Sequence, residues 1–133
     1  MKGCIVQIED ATRDNQHYRR VLFTAKHSQL VLMNLKPGEE IGEEVHGMDQ
    51  FIRFEEGEGT VVLDGEKHAV SDGFAVVIPA GTRHNVVNSG KTAALKLYSL
   101  YSPPEHKDGI IHKTKQEADV DHDHHFDGRT SMK

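Results

Sequence analysis

Two short stretches of this sequence carry side chains that can bind a metal ion: Glu44, His46 and Gln50 lie in the first, and His84 lies in the second. Carboxylate and imidazole groups bind divalent transition metals well, whereas a carboxamide oxygen is a weak, neutral ligand. Residues two apart share a face of an extended chain, so Glu44, His46 and Gln50 are predicted to point the same way. A solvated acidic loop with an incidental histidine is the alternative interpretation of the first stretch.

The direction of His84 is set by the residues before it. A predicted buried strand over residues 74–78 leads into a Pro-Ala-Gly turn at residues 79–81. Proline fixes φ and glycine supplies positive φ, so this turn has a defined geometry. We therefore expect His84 to start the next strand in a fixed orientation, with Val86 and Asn88 on the same face. Fixed ligand direction is what a metal site requires.

The elements that must position these residues are short runs of β-forming residues between Gly, Pro, Asp and Asn separators. Strands at this spacing predict an all-β sandwich or barrel. Asp64-Gly65 is predicted to be the two-residue turn of a hairpin. After Pro103-Pro104 the chain becomes polar, and we expect a short extended piece, a helical turn and then a loose tail. The predicted strands are residues 4–8, 19–25, 29–35, 50–56, 59–65, 66–70, 74–79, 83–89 and 94–101.

Composition limits the possible partners. The 133 residues fit one compact domain, and their formal net charge of −5, without a Lys/Arg run, disfavours nucleic acid and anionic membranes as partners. No apolar run approaches the length that crosses a membrane. A single cysteine, Cys4, permits no internal disulfide. From these features we expect a cytoplasmic protein.

Two motifs in this sequence resemble those of the cupins, a family of small double-stranded β-helix barrels. The first family motif is Gly-x5-His-x-His-x3-4-Glu-x6-Gly, and residues 38–57 read Gly-x5-Glu-x-His-x3-Gln-x6-Gly. The second is Gly-x5-Pro-x-Gly-x2-His-x3-Asn, and residues 73–88 match every fixed position. Glutamate thus replaces the first histidine of the family pattern, and glutamine replaces its glutamate.

The resemblance implies an all-β fold, a jelly-roll-like antiparallel barrel over residues 1–104 with a short polar, partly disordered C-terminal extension over residues 105–133. It also implies one divalent transition metal, and this donor set suits Mn, Fe, Ni, Co or Zn. The residues carried over as ligands are Glu44, His46, Gln50 and His84. Gln50 either binds the metal directly or hydrogen-bonds to a metal-bound water.

The function implied is that of a metal-dependent isomerase, epimerase or lyase acting on a small sugar or carboxylic-acid-like metabolite. The chain is similar to the mannose-6-phosphate isomerase-like branch of the family, and a homodimer is expected. A non-haem metal dioxygenase and a non-catalytic sugar- or metabolite-binding protein are the alternatives. Candidate catalytic residues are Glu44, Tyr101 and His106, and candidate pocket residues are Ile52, Phe54 and Val86.

The other histidines lack ligand spacing. We expect His17, His27 and His68 at the surface or in loops, and His122, His124 and His125 in the loose tail. His106 and His112 follow the last predicted strand, where we expect a surface position, with closure over the barrel mouth as the alternative.

Overall fold

The structure is a computed structural model that describes residues 2–132, and it consists mainly of antiparallel β-strands, which confirms the predicted fold class. The strands are β1 (Arg19–Thr24), β2 (Gln29–Leu35), β3 (Asp49–Glu56), β4 (Glu58–Leu63), β5 (Glu66–Ser71), β6 (Ala75–Ile78), β7 (His84–Val87), β8 (Leu95–Ser102) and β9 (Ile111–His112). The helices are α1 (Ile8–Asp14) and α2 (Lys115–Val120). Within residues 2–132, neither helix has the length and apolar character needed to cross a membrane.

The strands form two sheets that face each other across one core. The larger sheet has the order β6-β3-β8-β2-β1-β9, and the smaller sheet has the order β5-β4-β7. Alternate side chains of each strand point inward, as in β3, where Gln50, Ile52 and Phe54 are buried while Phe51 and Arg53 are partly exposed. The inward residues of both sheets make up the hydrophobic core, whose fully buried members include Val31, Met33, Leu35, Ile52, Phe54, Val61, Val86, Leu95 and Leu97.

The turns between strands have the geometry that their residues predict. Asp64 and Gly65 have φ of 47° and 84°, the paired positive values of a type I′ hairpin turn between β4 and β5. Gly57 separates β3 from β4 with φ of 101°, and a Cβ there would meet the backbone carbonyl of Ala94. The first turn sets the register of β4 and β5, and the turn at Gly57 takes the chain from the larger sheet to the smaller one.

The N-terminal strand predicted for residues 4–8 is wrong, because the described chain has no strand before β1: residues 4–7 have no regular secondary structure and α1 begins at Ile8. The Gln7 side chain accepts a hydrogen bond from the backbone N–H of Glu9, and the acidic Glu9 and Asp10 lie in the first turn, where the helix dipole favours them. The edge of β1 that such a strand could have covered is paired with β9.

The prediction of a buried strand at residues 74–78 is also only partly right. The strand forms as β6, but it lies at the edge of the larger sheet, and Phe74 and Val77 are 49% and 65% exposed. An apolar run is compatible with a buried strand or with an exposed apolar edge, and only the neighbours of the strand distinguish them.

The segment after Pro104 folds back over one end of the barrel, where the sequence analysis expected a partly loose tail. The side chain of Gln29, in β2, accepts hydrogen bonds from the backbone N–H groups of Glu105 and His106 and donates one to the His106 carbonyl. The backbone of His124 and Phe126 pairs with that of Lys107 and Glu105. These contacts attach the segment to the sheet, and the domain boundary at residue 104 stays a prediction.

Candidate metal site

The backbones of Glu44 and His84 are hydrogen-bonded to each other, which places their side chains side by side. Each residue donates its N–H to the carbonyl of the other, at 2.8 and 2.9 Å, in an antiparallel bridge between the loop before β3 and the start of β7. Opposed residues in such a bridge direct their side chains to the same face. The first and second sequence stretches are thereby brought together by two hydrogen bonds.

The imidazole of His84 is oriented by the turn that the sequence predicts. Thr82 donates its N–H to the carbonyl of Pro79, and Gly81 has φ of 86° at the third position, as a type II turn requires. The Nδ1 of His84 lies 2.8 Å from the carbonyl oxygen of Thr82. A carbonyl only accepts, so Nδ1 carries the proton and Nε2 keeps its lone pair for a metal ion.

His46 lies between two carboxylates. Its Nε2 is 3.6 Å from Oε1 of Glu44, and its Nδ1 is 3.4 Å from Oε2 of Glu105. Glu105 is buried and comes from the C-terminal segment. A carboxylate on the far nitrogen of a histidine fixes the ring orientation and raises its basicity as a ligand, which is the usual arrangement around protein-bound metals.

The donor atoms of Glu44, His46 and His84 all lie within 4.8 Å of one another, and the two imidazole ring centres are 5.1 Å apart. Donors bound to one ion at about 2.1 Å lie roughly 3 to 4 Å from each other, so small side-chain rotations complete the set. Among residues 2–132 this is the group of three His, Cys, Asp or Glu side chains with such spacing. It can therefore hold a metal ion.

Gln50 lies on β3 rather than on the strand that the sequence analysis drew through Glu44 and His46, because the chain bends at Gly47-Met48 and passes to the larger sheet. Its side chain is buried, and its Nε2 donates to Oγ of Ser99 at 3.1 Å. Its Oε1 is a buried acceptor without a hydrogen-bond partner. A buried carbonyl oxygen without a partner is costly, and a metal ion or a metal-bound water would satisfy it.

The charges of Glu44 and His46 shift the pKa of each other in the absence of a metal. Burial raises the pKa of Glu44, but the hydrogen bond and charge of His46 outweigh burial and lower it below the ordinary value. The hydrogen bond with Glu44 raises the pKa of His46, although burial opposes this effect. Metal binding must displace any proton that His46 carries on the nitrogen facing Glu44.

A cavity of about 290 Å³ opens beside Glu44. The barrel and the C-terminal segment both contribute to its wall, which is almost entirely polar. The Tyr18 hydroxyl at this wall stays protonated because burial raises its pKa to about 12. The lining residues are Tyr18, Arg19, Ile41, Glu44, Ala118, Asp119, Asp121, His122, His124 and His125.

Two of the three candidate catalytic residues, Tyr101 and His106, are buried near the candidate ligand His46. The Tyr101 ring lies edge-on to both His46 and His106, with centroids 6.1 and 5.4 Å away. Burial raises the pKa of Tyr101, so its hydroxyl can donate a proton or hydrogen bond but does not act as a base at neutral pH. Burial lowers the pKa of His106 well below the ordinary value, which keeps this imidazole neutral.

The candidate pocket residues Ile52, Phe54 and Val86 are at most 1% exposed and belong to the hydrophobic core. Val86 shares the inward face of its strand with His84, as predicted. The side-chain amide of Asn88 donates hydrogen bonds to the backbone carbonyls of Leu35 and Ala93. The direct contact of Ile52, Phe54 and Val86 with a ligand stays a prediction.

Some histidines outside the two motifs are exposed as predicted, and others are buried where a surface position was predicted. His27 and His68 are exposed as expected. His106 and His112, which we expected at the surface, are only 3% and 5% exposed. His124 packs against His106 with their Nδ1 atoms 3.2 Å apart, so it belongs to the folded segment rather than to a tail. The buried positions of His106 and His112 agree with the alternative prediction, in which their segment closes over the barrel mouth.

Sequence reasoning missed Glu105 and Arg19, which face the site from the two ends of the chain. Glu105 is 59 positions from His46 in sequence, and Arg19 lies before both motifs. A single buried arginine at the start of a strand is a weak local signal, because period-2 alternation applies equally to its exposed neighbour Arg20. Neither residue stands at a spacing that relates it to the ligands.

His106 gives a pH-dependent prediction. The unfolded chain binds a proton on this imidazole below about pH 6.5 and the folded chain does not, so the free energy of unfolding should fall as the pH drops below that value. Between pH 7.5 and 5.5 the free energy of unfolding should therefore fall by about 1 kcal/mol less in His106→Gln than in the wild type. Urea unfolding of metal-free wild type and variant at both pH values measures this difference.

The charged groups that act on His106 come from several elements and are present in both proteins: Arg19, His46, His112 and His124. Their own titration therefore largely cancels in the comparison. The exposed His27→Gln variant serves as the control and should follow the wild-type pH dependence. Equal slopes for wild type and His106→Gln would show that His106 is not held neutral in the folded protein.

The fold and the two-motif ligand group define a class, and the sequence comparison agrees with it: residues 31–101 match the Cupin domain family, and the chain belongs to that family. Among its relatives, protein YrkC of Bacillus subtilis (strain 168) is 47% identical over 124 residues, which are 88% of this chain and 66% of YrkC. Protein L612 of Acanthamoeba polyphaga mimivirus is 46% identical over 112 residues, which are 80% of this chain and 69% of L612. The chain thus spans about two thirds of the length of these relatives.

A solved structure of similar fold is that of BH2720 from Bacillus halodurans. It superposes with a TM-score of 0.86 over 90% of this chain and 95% of its own, at 44% sequence identity. That coverage extends beyond the two motifs, so the likeness includes elements at the ends of the barrel.

Proposed function

We propose that this protein is a metal-dependent enzyme that isomerises, epimerises or cleaves a small sugar or carboxylic acid. One observation carries the proposal: both imidazoles have their Nδ1 atoms beside oxygen acceptors, which leaves Nε2 for a metal, and donor atoms of His46, His84 and Glu44 lie within 4.8 Å of one another. Of these three residues, Glu44 also lines the polar cavity. Glu44, His46 and His84 would hold one divalent metal, and Gln50 would be the fourth protein ligand or bind a metal-bound water. Such a metal polarises a substrate carbonyl or hydroxyl when bound.

The residues around the ligands would then handle protons. Tyr101 keeps its hydroxyl proton and can donate it to a substrate oxygen, while His106, which burial keeps neutral, can accept a hydrogen bond but is a weak base. Both are buried, which excludes bulk water from their side of the site. Glu44 is a third candidate if a substrate displaces it from the metal.

A non-haem dioxygenase is a second candidate, since two histidines and one carboxylate are the ligand set of the Fe(II) oxygenases. Oxygen use separates the two reactions. The metal-free protein should be loaded in turn with Mn, Fe, Co, Ni and Zn and incubated in D2O with small sugars and carboxylic acids. We expect metal-dependent deuterium exchange or product formation under argon. Turnover that requires oxygen would instead support the dioxygenase, and binding without turnover would support a non-catalytic protein.

We also propose a homodimer that covers the β6 edge. β9 pairs with the outer edge of β1, whereas the edge at β6 presents exposed Val77 together with Phe74, which immediately precedes the strand. Exposed β-edges with apolar side chains are pairing surfaces unless they are covered. Ile5, which pairs with no strand among residues 2–132, is also fully exposed.

If the β6 edge forms the dimer contact, a charged residue placed on this edge should strongly weaken dimerisation. Val77→Lys should convert the dimer to a monomer, or weaken dimerisation by at least about tenfold, because a charge would be buried in an apolar contact. Light scattering after size-exclusion chromatography measures the mass. Val120→Lys is the matched control, since Val120 is 66% exposed on α2 and should leave the mass unchanged. A monomeric wild type at micromolar concentration would contradict the proposal.

We keep a cytoplasmic location as a prediction, supported by the single cysteine, Cys4, which the structure leaves free and exposed.

A further inference from the structure

Arg19 is a buried cation without a carboxylate partner. It begins β1 with its side chain facing inward at 7% exposure, while the next residue, Arg20, faces solvent. Among residues 2–132, Arg19 takes part in no ion pair. Burying a guanidinium without a counter-charge is expensive, so this position demands an explanation.

The hydrogen bonds of Arg19 leave one edge of the guanidinium unused. Its Nη1 lies 3.2 Å from Nδ1 of His112, which accepts because the His112 Nε2 donates to Oδ2 of Asp121 at 2.9 Å. The Nε atom is buried and has no hydrogen-bond partner. Nε and Nη2 form the edge of the guanidinium opposite to this contact, and such an edge pairs with a carboxylate through two parallel hydrogen bonds.

Arg19 and Glu44 line the same cavity of about 290 Å³. A cavity of this size holds a small metabolite and not a long chain. An anion bound to Arg19 would therefore lie in the same cavity as the metal ligand Glu44.

The charges around the cavity favour one negative charge over two. Its wall carries three carboxylates, those of Glu44, Asp119 and Asp121, and one guanidinium, that of Arg19. With a divalent metal present and the histidines neutral, these charges sum to zero. A single carboxylate is then accommodated more easily than a phosphate dianion, which the nearby aspartates would repel.

We propose that the substrate is a small monocarboxylate whose carboxylate binds the Nε–Nη2 edge of Arg19 while a second oxygen reaches the metal. This inference rests on the proposed function, because it names the substrate class of the same site. Arg19 thereby selects acids over neutral sugars of similar shape.

Lactate and propane-1,2-diol are suitable probes, because they share a skeleton and differ by a carboxylate in place of a hydroxymethyl group. Titration calorimetry with metal-loaded wild type should show lactate binding about 10- to 100-fold more tightly than the diol, as expected for hydrogen bonds to a charged group. Arg19→Gln should abolish this preference while leaving affinity for the diol unchanged. Arg20→Gln, on the opposite face of the same strand, should behave as wild type.

Arg19 could instead only hold the C-terminal segment through His112, and further measurements separate this role. A structural effect of Arg19→Gln would lower its metal content or its melting temperature. Arg19→Lys keeps the positive charge but cannot form the two parallel hydrogen bonds of the guanidinium edge. We expect Arg19→Lys to fold, to retain metal and to lose most of the lactate preference. This variant therefore tests the inference even if Arg19→Gln does not fold. Retention of the full preference in a folded Arg19 variant would overturn the inference, and so would a wild type without preference for lactate.

Failure of this inference differs from failure of the proposed function. A protein that holds metal but does not prefer lactate refutes the monocarboxylate and leaves the metal site standing. A protein that binds no metal but shows Arg19-dependent lactate binding refutes the metal-dependent function and leaves the anion site. Glycerol 3-phosphate is the third probe, and tighter binding of it than of lactate would refute the choice of a monocarboxylate.

Discussion

Replacing His84 by Ala is expected to abolish metal binding. The variant removes the candidate ligand whose direction is set by the Pro79-Gly81 turn and by the hydrogen bond to the Thr82 carbonyl. Changes to residues that only orient a ligand cost about 10- to 100-fold in metal affinity, so loss of the ligand itself should cost at least about 100-fold. Elemental analysis after dialysis, with Zn and Mn titrations of the stripped protein, measures the effect.

Two further variants sharpen this test. His68→Ala removes an exposed histidine from β5 and should leave metal content as in wild type. Gln50→Glu replaces the amide whose Oε1 has no partner by a carboxylate, and should raise affinity for divalent metal because it adds a charged ligand. Full metal content in a folded His84→Ala protein would show that the metal, if any, binds elsewhere.

Glu105→Gln is expected to lower metal affinity by about 10- to 100-fold although Glu105 is not placed as a ligand. Its Oε2 lies 3.4 Å from Nδ1 of His46, where it fixes the ring and makes the opposite nitrogen a better donor. The glutamine has the same shape but no charge, so it weakens this support with little change in volume. Metal titrations of both proteins at the same pH compare the affinities directly.

The control for Glu105 is another buried carboxylate far from the ligands. Glu55 is 5% exposed and pairs with Arg53 at 3.0 Å on β3. Glu55→Gln removes a comparable buried charge, so it can change stability but should leave metal affinity as in wild type. Equal metal affinities for wild type and Glu105→Gln would show that Glu105 does not support metal binding and only attaches the C-terminal segment to the barrel.

The barrel could be predicted from the sequence because its information is local. Alternating side chains set the strands, and Asp64-Gly65 and Gly81 allow only a few turn geometries. The two failures have the same origin. Residues 4–8 fit a strand and residues 74–78 fit a buried strand when each is considered in isolation, and their neighbours in space decide whether they pair and whether they are buried.

Sequence alone therefore determined the fold class, the identity of Glu44, His46 and His84 as the candidate ligands, and the direction of His84. Tertiary structure decided which groups support those ligands: Glu105 behind His46, Arg19 in the cavity wall, and the C-terminal segment held by Gln29. Arg19 contacts His112 across 93 positions of sequence. No periodicity or turn relates residues so far apart, because such contacts exist only after the sheets have packed and the chain ends have folded over them.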